Sequence, residues 1–164
     1  QIAREALTLA AFELHKFHDA RTLIWDEDAH FGNGCVEMIG IHNMHGYCRY
    51  VQSDHTHRAT GCDLVAYREH LRKVIAECKP DIIMYQAGAD NWSGDGLGGG
   101  ALDFADLFER DLITFEEAKV AGVAVVCNLA GGYAPNFEHT LAIHLNTAEA
   151  MKQVYLGIPG KRVL

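Results

Sequence analysis

Three short apolar runs constrain what this chain can fold into. They are residues 21–25 (RTLIW), 81–86 (DIIMYQ) and 123–130 (VAVVCNLA). None alternates apolar with polar residues, and stretches with helical patterning lie between them. A strand that is apolar throughout needs cover on both faces, and strands separated by helices pair in parallel. The expected fold class is therefore α/β, with three α/β/α layers around a parallel sheet. Helices are expected over residues 2–18, 63–79, 103–121 and 136–155. In the second, Leu64, Leu71, Val74, Ile75 and Cys78 fall near one face and Pro80 ends the segment. Gly122 stands where the third would be capped. Residues 36–42 (VEMIGIH) read as a further strand, and the polar, histidine-rich residues 43–62 are left unassigned. No repeat, low-complexity tract or linker divides the sequence, so residues 1–164 read as one domain.

Composition excludes several function classes. At 164 residues, 49% apolar and 22% charged, the chain can build a core and is not disordered. A net charge of -8 argues against direct nucleic-acid binding, which needs a positive field. No apolar run suits a membrane span, and no secretory leader pattern opens the chain. The 5 cysteines form no CxxC pair, which points to unpaired thiols in a reducing, cytoplasmic setting. The chain begins at Gln1, directly in helical sequence, and reads as a domain incomplete at its N-terminus.

Three apolar runs end in chemistry-bearing residues: Asp26, Asp28 and His30 in DEDAH, Asp90 in AGAD, and Tyr133 after two glycines in AGGY. Ligands of open parallel sheets bind outside the C-terminal strand ends. Side chains two apart on an extended strand share a face, so Asp26, Asp28 and His30 are expected on one side. Asp28 and His30 could reach one ion at about 2.0–2.2 Å, with Asp90 arriving from a neighbouring strand. Three protein ligands and an open position describe a catalytic zinc, which acidifies water and polarises a carbonyl. Acidic residues at one strand end are more often merely solvated; the combination with GAD and GGY is what raises the reading.

The segment DEDAHFGNG resembles the DxDxHHGNG segment of the histone deacetylase and acetylpolyamine amidohydrolase superfamily. KPDIIMYQAGADNWSGDGLGGG and VAVVCNLAGGY are similar to two further segments of that family, in the same order and spacing. The resemblance runs from the first helix to about Gly157. It implies an arginase/deacetylase-like fold lacking its N-terminal strands, a Zn2+ cofactor, and hydrolysis of an acetylated amine of the acetyl-lysine or acetylpolyamine type. The implied metal ligands are Asp28, His30 and Asp90. Tyr133 would be the phenol that hydrogen-bonds the substrate carbonyl and then the oxyanion. Gly131 and Gly132 would let the backbone pass close to the substrate. Asp26 would be a carboxylate that orients a histidine or supports a K+ site, Leu97 would line the acyl end of a tunnel, and Asp95 would be a structural loop carboxylate.

The chain also departs from that pattern. It has no His-His pair, which in the family supplies the general base. His15 and His18 lie in helical sequence and read as surface residues. Phe31 replaces a histidine, and Gly40 stands where a serine often helps bind potassium, which weighs against K+. Tyr47 or Tyr50 could serve as a tunnel aromatic. His42, His45, His55 and His57 read as a solvated loop in preference to a second metal site. Missing strands would leave an open sheet edge, so a homo-oligomer or an N-terminal partner is expected. Two other functions are compatible: a non-catalytic metal- or partner-binding truncated module, and an arginase-like metallohydrolase. The latter is disfavoured because Gly32 stands where an acid would hold a second ion.

Overall fold

The computed structural model describes residues 2–53 and 62–164. In chain order the elements are α1 (Ile2–His18), β1 (Thr22–Asp26), α2 (Asn33–Ile41), β2 (Cys48–Gln52), α3 (Leu64–Cys78), β3 (Ile82–Gly88), α4 (Phe104–Ala121), β4 (Ala124–Ala130) and α5 (Phe137–Leu156). The sheet order is β2-β1-β3-β4, and every neighbouring pair is parallel. The α/β class and its parallel sheet are borne out.

Alternate residues of the central strands feed two cores. Leu23, Trp25, Ile83 and Tyr85 pack under α3, α4 and α5, against Tyr67, Leu71, Val74, Leu112 and Phe115. Ile24 and Met84 face the other way and pack with Ala11 of α1 and with Cys35 and Ile39 of α2. This two-sided burial is why the strands carry no polar alternation. A buried side chain of this size contributes about 1.5–3 kcal/mol. Several polar groups inside the first core are paired. Trp25 Nε1 donates to the Tyr67 hydroxyl at 2.8 Å, and the buried Arg110 donates to the Gly88 carbonyl at 2.9 Å and to Asp111. No helix among the described residues is long and apolar enough to cross a membrane. The described cysteines form no disulfide, and burial pushes the Cys48 and Cys127 thiols up to about 12.

Two local expectations are corrected. Residues 36–42 do not form a strand; they lie in or directly after α2. Cys35 and Ile39, four apart, are its buried residues, and a short apolar run does not distinguish a strand from a helix of that period. The strand lies later, at β2, whose five residues include the exposed Arg49 and are only partly buried. Gly40 is consequently on an exposed turn of α2, not on a strand. His42 and His45 follow α2 at the end of the sheet where strands begin, while His55 and His57 lie outside the described residues.

β4 is an edge strand, and its exposure alternates along its length. Val126 is 50% exposed and Leu129 62%. The other faces of the fold are tied by caps and charges. Asp63 caps α3 by accepting from the Ala66 amide, and Asp103 and Asp106 form a reciprocal box at the start of α4. Arg72 of α3 grips the Glu117 carboxylate of α4 with two bonds of 2.9 and 2.8 Å, and Arg68 adds a third at 2.9 Å.

Hydrogen bonds from Arg72, then Arg68, outweigh desolvation and hold the Glu117 carboxyl below its ordinary value of 4.5. A depressed folded-state pKa means the stabilisation is present above that ordinary value and fades as pH falls through the folded one. Glu117→Gln is expected to cost about 1–3 kcal/mol at pH 7. In urea denaturation at pH 7 and pH 3 the gap from the parent should shrink at the lower pH.

Candidate metal centre

The chain leaves β1 towards one side of the sheet and β3 towards the other. From β1 it passes through α2 on the α1/α2 face to β2; from β3 it passes through α4 on the opposite face to β4. The segments after β1 and β3 therefore diverge, and a crevice opens between adjacent strand ends where the winding reverses. Asp28 and His30 enter it from β1, Asp90 from β3, and the Gly131-Gly132-Tyr133 segment from β4.

The expectation that Asp26, Asp28 and His30 share an extended face is not met. β1 ends at Asp26, and residues 28–30 bend. Side chains capture the backbone there: Asp26 Oδ1 accepts from the Asp28 amide at 3.0 Å, and Asp28 Oδ1 accepts from the His30 amide at 2.8 Å. Such local bonds compete with strand continuation. The bend carries Asp28 and His30 to Asp90, so that one ligand atom from each lies within 4.8 Å of the others. His30 Nδ1 is 2.9 Å from Asp90 Oδ2 and 3.2 Å from Asp28 Oδ1. Asp26 is not part of this group; its Oδ2 accepts from the Tyr50 hydroxyl at 2.8 Å.

The electrostatics suit a cation. Asp28 and Asp90 are both buried. Desolvation, with the charge of Asp28 added, pushes Asp90 up to about 6. Burial alone would lower the His30 pKa, but hydrogen bonds and charges from Asp28 and Asp90 override it and raise the value. The two buried carboxyl groups thus share the single His30 ring. Carboxylate oxygens with an imidazole nitrogen make a donor set that zinc accepts, and backbone amides hold the remaining oxygens: Ala29 on Asp90 Oδ1 at 3.0 Å and Gly131 on Asp28 Oδ2 at 2.9 Å.

Close approach of three backbones makes this possible. A Cβ on Gly131 would collide with Asp90 Oδ2 and come within 2.7 Å of Asp28 Oδ2. One on Gly88 would strike the Glu27 carbonyl and sit 2.6 Å from Asp28 Cα. A Cβ on Gly132 would meet the Thr140 side chain at 2.5 Å. The Tyr133 ring lies edge-on to the His30 ring, centroids 5.9 Å apart, and is 49% exposed. Asp95 ties this side together: Oδ2 accepts from the Tyr133 amide at 2.6 Å, and Oδ1 from Leu97 and Gly98 at 2.9 and 2.7 Å. Leu97 is 69% exposed, so the described residues do not enclose it in a tunnel.

Other candidates lie elsewhere. Tyr47 stacks on His15 at 3.7 Å, where the strands begin. Gly40 does not approach the centre. Tyr50, expected as a tunnel aromatic, instead binds Asp26 and the Gly32 amide; Gln52 was missed because its strand was not recognised, and its Nε2 donates to the Asp28 carbonyl at 2.7 Å. Asn91 was also missed; its amide holds the Glu27 carbonyl at 2.6 Å. The two-residue spacing of Tyr50 and Gln52 was the available signal.

Comparison with known proteins places the fold in a family. Residues 63–148 match the family model described as Histone deacetylase domain. That is more than half of the chain, and the chain belongs to the histone deacetylase domain family. An uncharacterized protein of Picosynechococcus sp. is 34% identical over 86 residues, which are 52% of this chain and 29% of that protein. The solved structure of the histone deacetylase Clr3 superposes with a TM-score of 0.67 at 19% identity, over 95% of this chain and 30% of that one. At that identity the likeness is one of fold. The chain spans less than a third of either protein. Asp90, Leu97 and Tyr133 fall within the matched residues, whereas Asp28 and His30 precede them; folding is what joins the two groups.

Gly131→Ala should be costly, because neither carboxylate has room to retreat. Thermal unfolding is expected to show a loss of about 1–3 kcal/mol, and zinc titration calorimetry a weakened or absent binding heat.

Proposed function

We propose that this chain carries the metal-binding portion of a zinc-dependent, deacetylase-like amidohydrolase acting on an acetylated amine of the acetyl-lysine or acetylpolyamine type. The observation that carries the reading is the convergence of Asp28, His30 and Asp90 beside the Tyr133 ring. These three side chains would hold the ion. Zinc, when bound, supplies a Lewis acid that polarises an acyl carbonyl and acidifies water.

The chain's own residues do the rest. Tyr133 borders solvent next to His30, where its hydroxyl can donate to a substrate carbonyl oxygen and to the negative charge that develops there. Gly131 keeps a side chain out of the space beside the carboxylates, and Gly132 lets the segment pack close to Thr140. Leu97 offers an apolar contact to the acyl group. Asp26 acts on the centre through the backbone of Asp28. The protein's thiols, without disulfides among the described residues, fit a reducing cytoplasmic setting.

A second reading has one observation in its favour. Among the described residues the cluster contains a single imidazole, His30, and that imidazole is a ligand candidate, so the cluster offers no separate general base. A module that binds metal without turnover fits this. An arginase-like pair of ions has less support, since the described residues form one such cluster.

Purified chain loaded with zinc and given a fluorogenic acetyl-lysine substrate separates the readings. Chelator-sensitive turnover that falls about 10²–10³-fold in Tyr133→Phe, at unchanged zinc content, supports the enzyme. Zinc bound stoichiometrically with no turnover supports the module. Full activity in Tyr133→Phe would remove that residue from the mechanism.

We also read the β4 edge, with Val126 and Leu129 exposed and no further strand beside it among the described residues, as a seat of association with a second copy or an N-terminal partner. Light scattering at micromolar concentration should give a mass above that of one chain; a clean monomer would rule out self-association.

A further inference from the structure

We propose that Tyr50 is a positioning residue for the metal centre, its hydroxyl closing the 26–32 loop that carries Asp28 and His30. The inference rests on the metal reading above for its purpose, though the clamp itself is a matter of geometry. Tyr50 stands on β2 opposite Ile24 of β1. Its hydroxyl donates to Asp26 Oδ2 at 2.8 Å and accepts from the Gly32 amide at 2.9 Å. One oxygen atom therefore joins the first and last residues of the loop. Asp26 passes the constraint on, since its other oxygen accepts from the Asp28 amide.

Two further observations show that the space is built for the phenol. A Cβ on Gly32 would lie 2.5 Å from the Tyr50 hydroxyl and 2.8 Å from Cζ, so only glycine admits the ring at this position. The Phe31 ring stands edge-on to the Tyr50 ring at 5.9 Å. Gln52, two residues along the same strand, holds the Asp28 carbonyl in the middle of the loop. β2 thus grips the loop at both ends and near its centre, although it contributes no ligand. A loop without regular structure would otherwise lose conformational freedom on capturing an ion; a clamp made beforehand spares the ion that cost. Groups that orient metal ligands typically change affinity about 10–100-fold when removed.

The test uses the whole chain, Tyr50→Phe and Gly32→Ala. The first removes the hydroxyl; the second keeps it and displaces the ring. In metal-free protein, amide hydrogen exchange at Gly32 should accelerate at least about tenfold in Tyr50→Phe while the β1 and β3 amides stay protected. Zinc affinity, measured by competition with a chromophoric chelator, should fall about 10–100-fold in both variants, and the Co2+ visible spectrum should change shape. Unchanged Gly32 exchange, or unchanged zinc affinity in a folded Tyr50→Phe, overturns the proposal. If Tyr50→Phe fails to fold, Gly32→Ala decides by the same affinity criterion. If the parent chain binds no zinc or cobalt while Gly32 exchange still accelerates, the clamp stands and the metal reading falls.

Discussion

Two buried carboxylates, Asp28 and Asp90, face each other across adjacent strand ends with one imidazole between them. Nearly everything around them answers that crowding of negative charge. Backbone amides of Ala29 and Gly131 take one oxygen from each, and His30 bridges the other two. Because like charges at this range raise the energy of both, the arrangement needs a positive partner and a rigid frame. The frame comes from the reversal of winding between β1 and β3, which brings two loops together without making them compete for space.

That frame is secured from behind. Arg110, wholly buried, binds the Gly88 carbonyl two residues before Asp90 and pairs with Asp111, which Tyr85 and Thr147 also hold. A buried guanidinium held by three hydrogen bonds is costly to disturb. It fixes the end of β3 to α4 and α5, while β2 fixes the end of β1. The two halves of the candidate ligand set are thus braced independently, one by a charged network in the core and one by a tyrosine and a glutamine on a short strand.

Much of this was readable from the sequence. Continuous apolar runs such as 81–86 announced strands buried on both faces, and the polar residues after them marked the crevice. The three residues now seen together were singled out because they end such runs. The route that unites them was not readable. Side chains of Asp26 and Asp28 bind nearby amides and bend the chain, and that choice depends on tertiary surroundings, not on spacing. α2 was mistaken for a strand because its nine residues show barely more than two turns of periodicity. β2 was overlooked because an edge-like strand with Arg49 exposed carries little apolar signal, and with it went Gln52 and the place of Tyr50 beside Asp26.

The glycines at 88 and 131 carry a consequence for divergence. No side chain of any size fits at either position beside the carboxylates, so these sites are closed to change. Phe31, Leu97 and Tyr133 ring the same crevice yet are about half exposed or more. Substitutions at Leu97 would disturb little packing. The rim can therefore change shape while the inner cluster stays fixed, a division of labour between a rigid floor and a mutable lip.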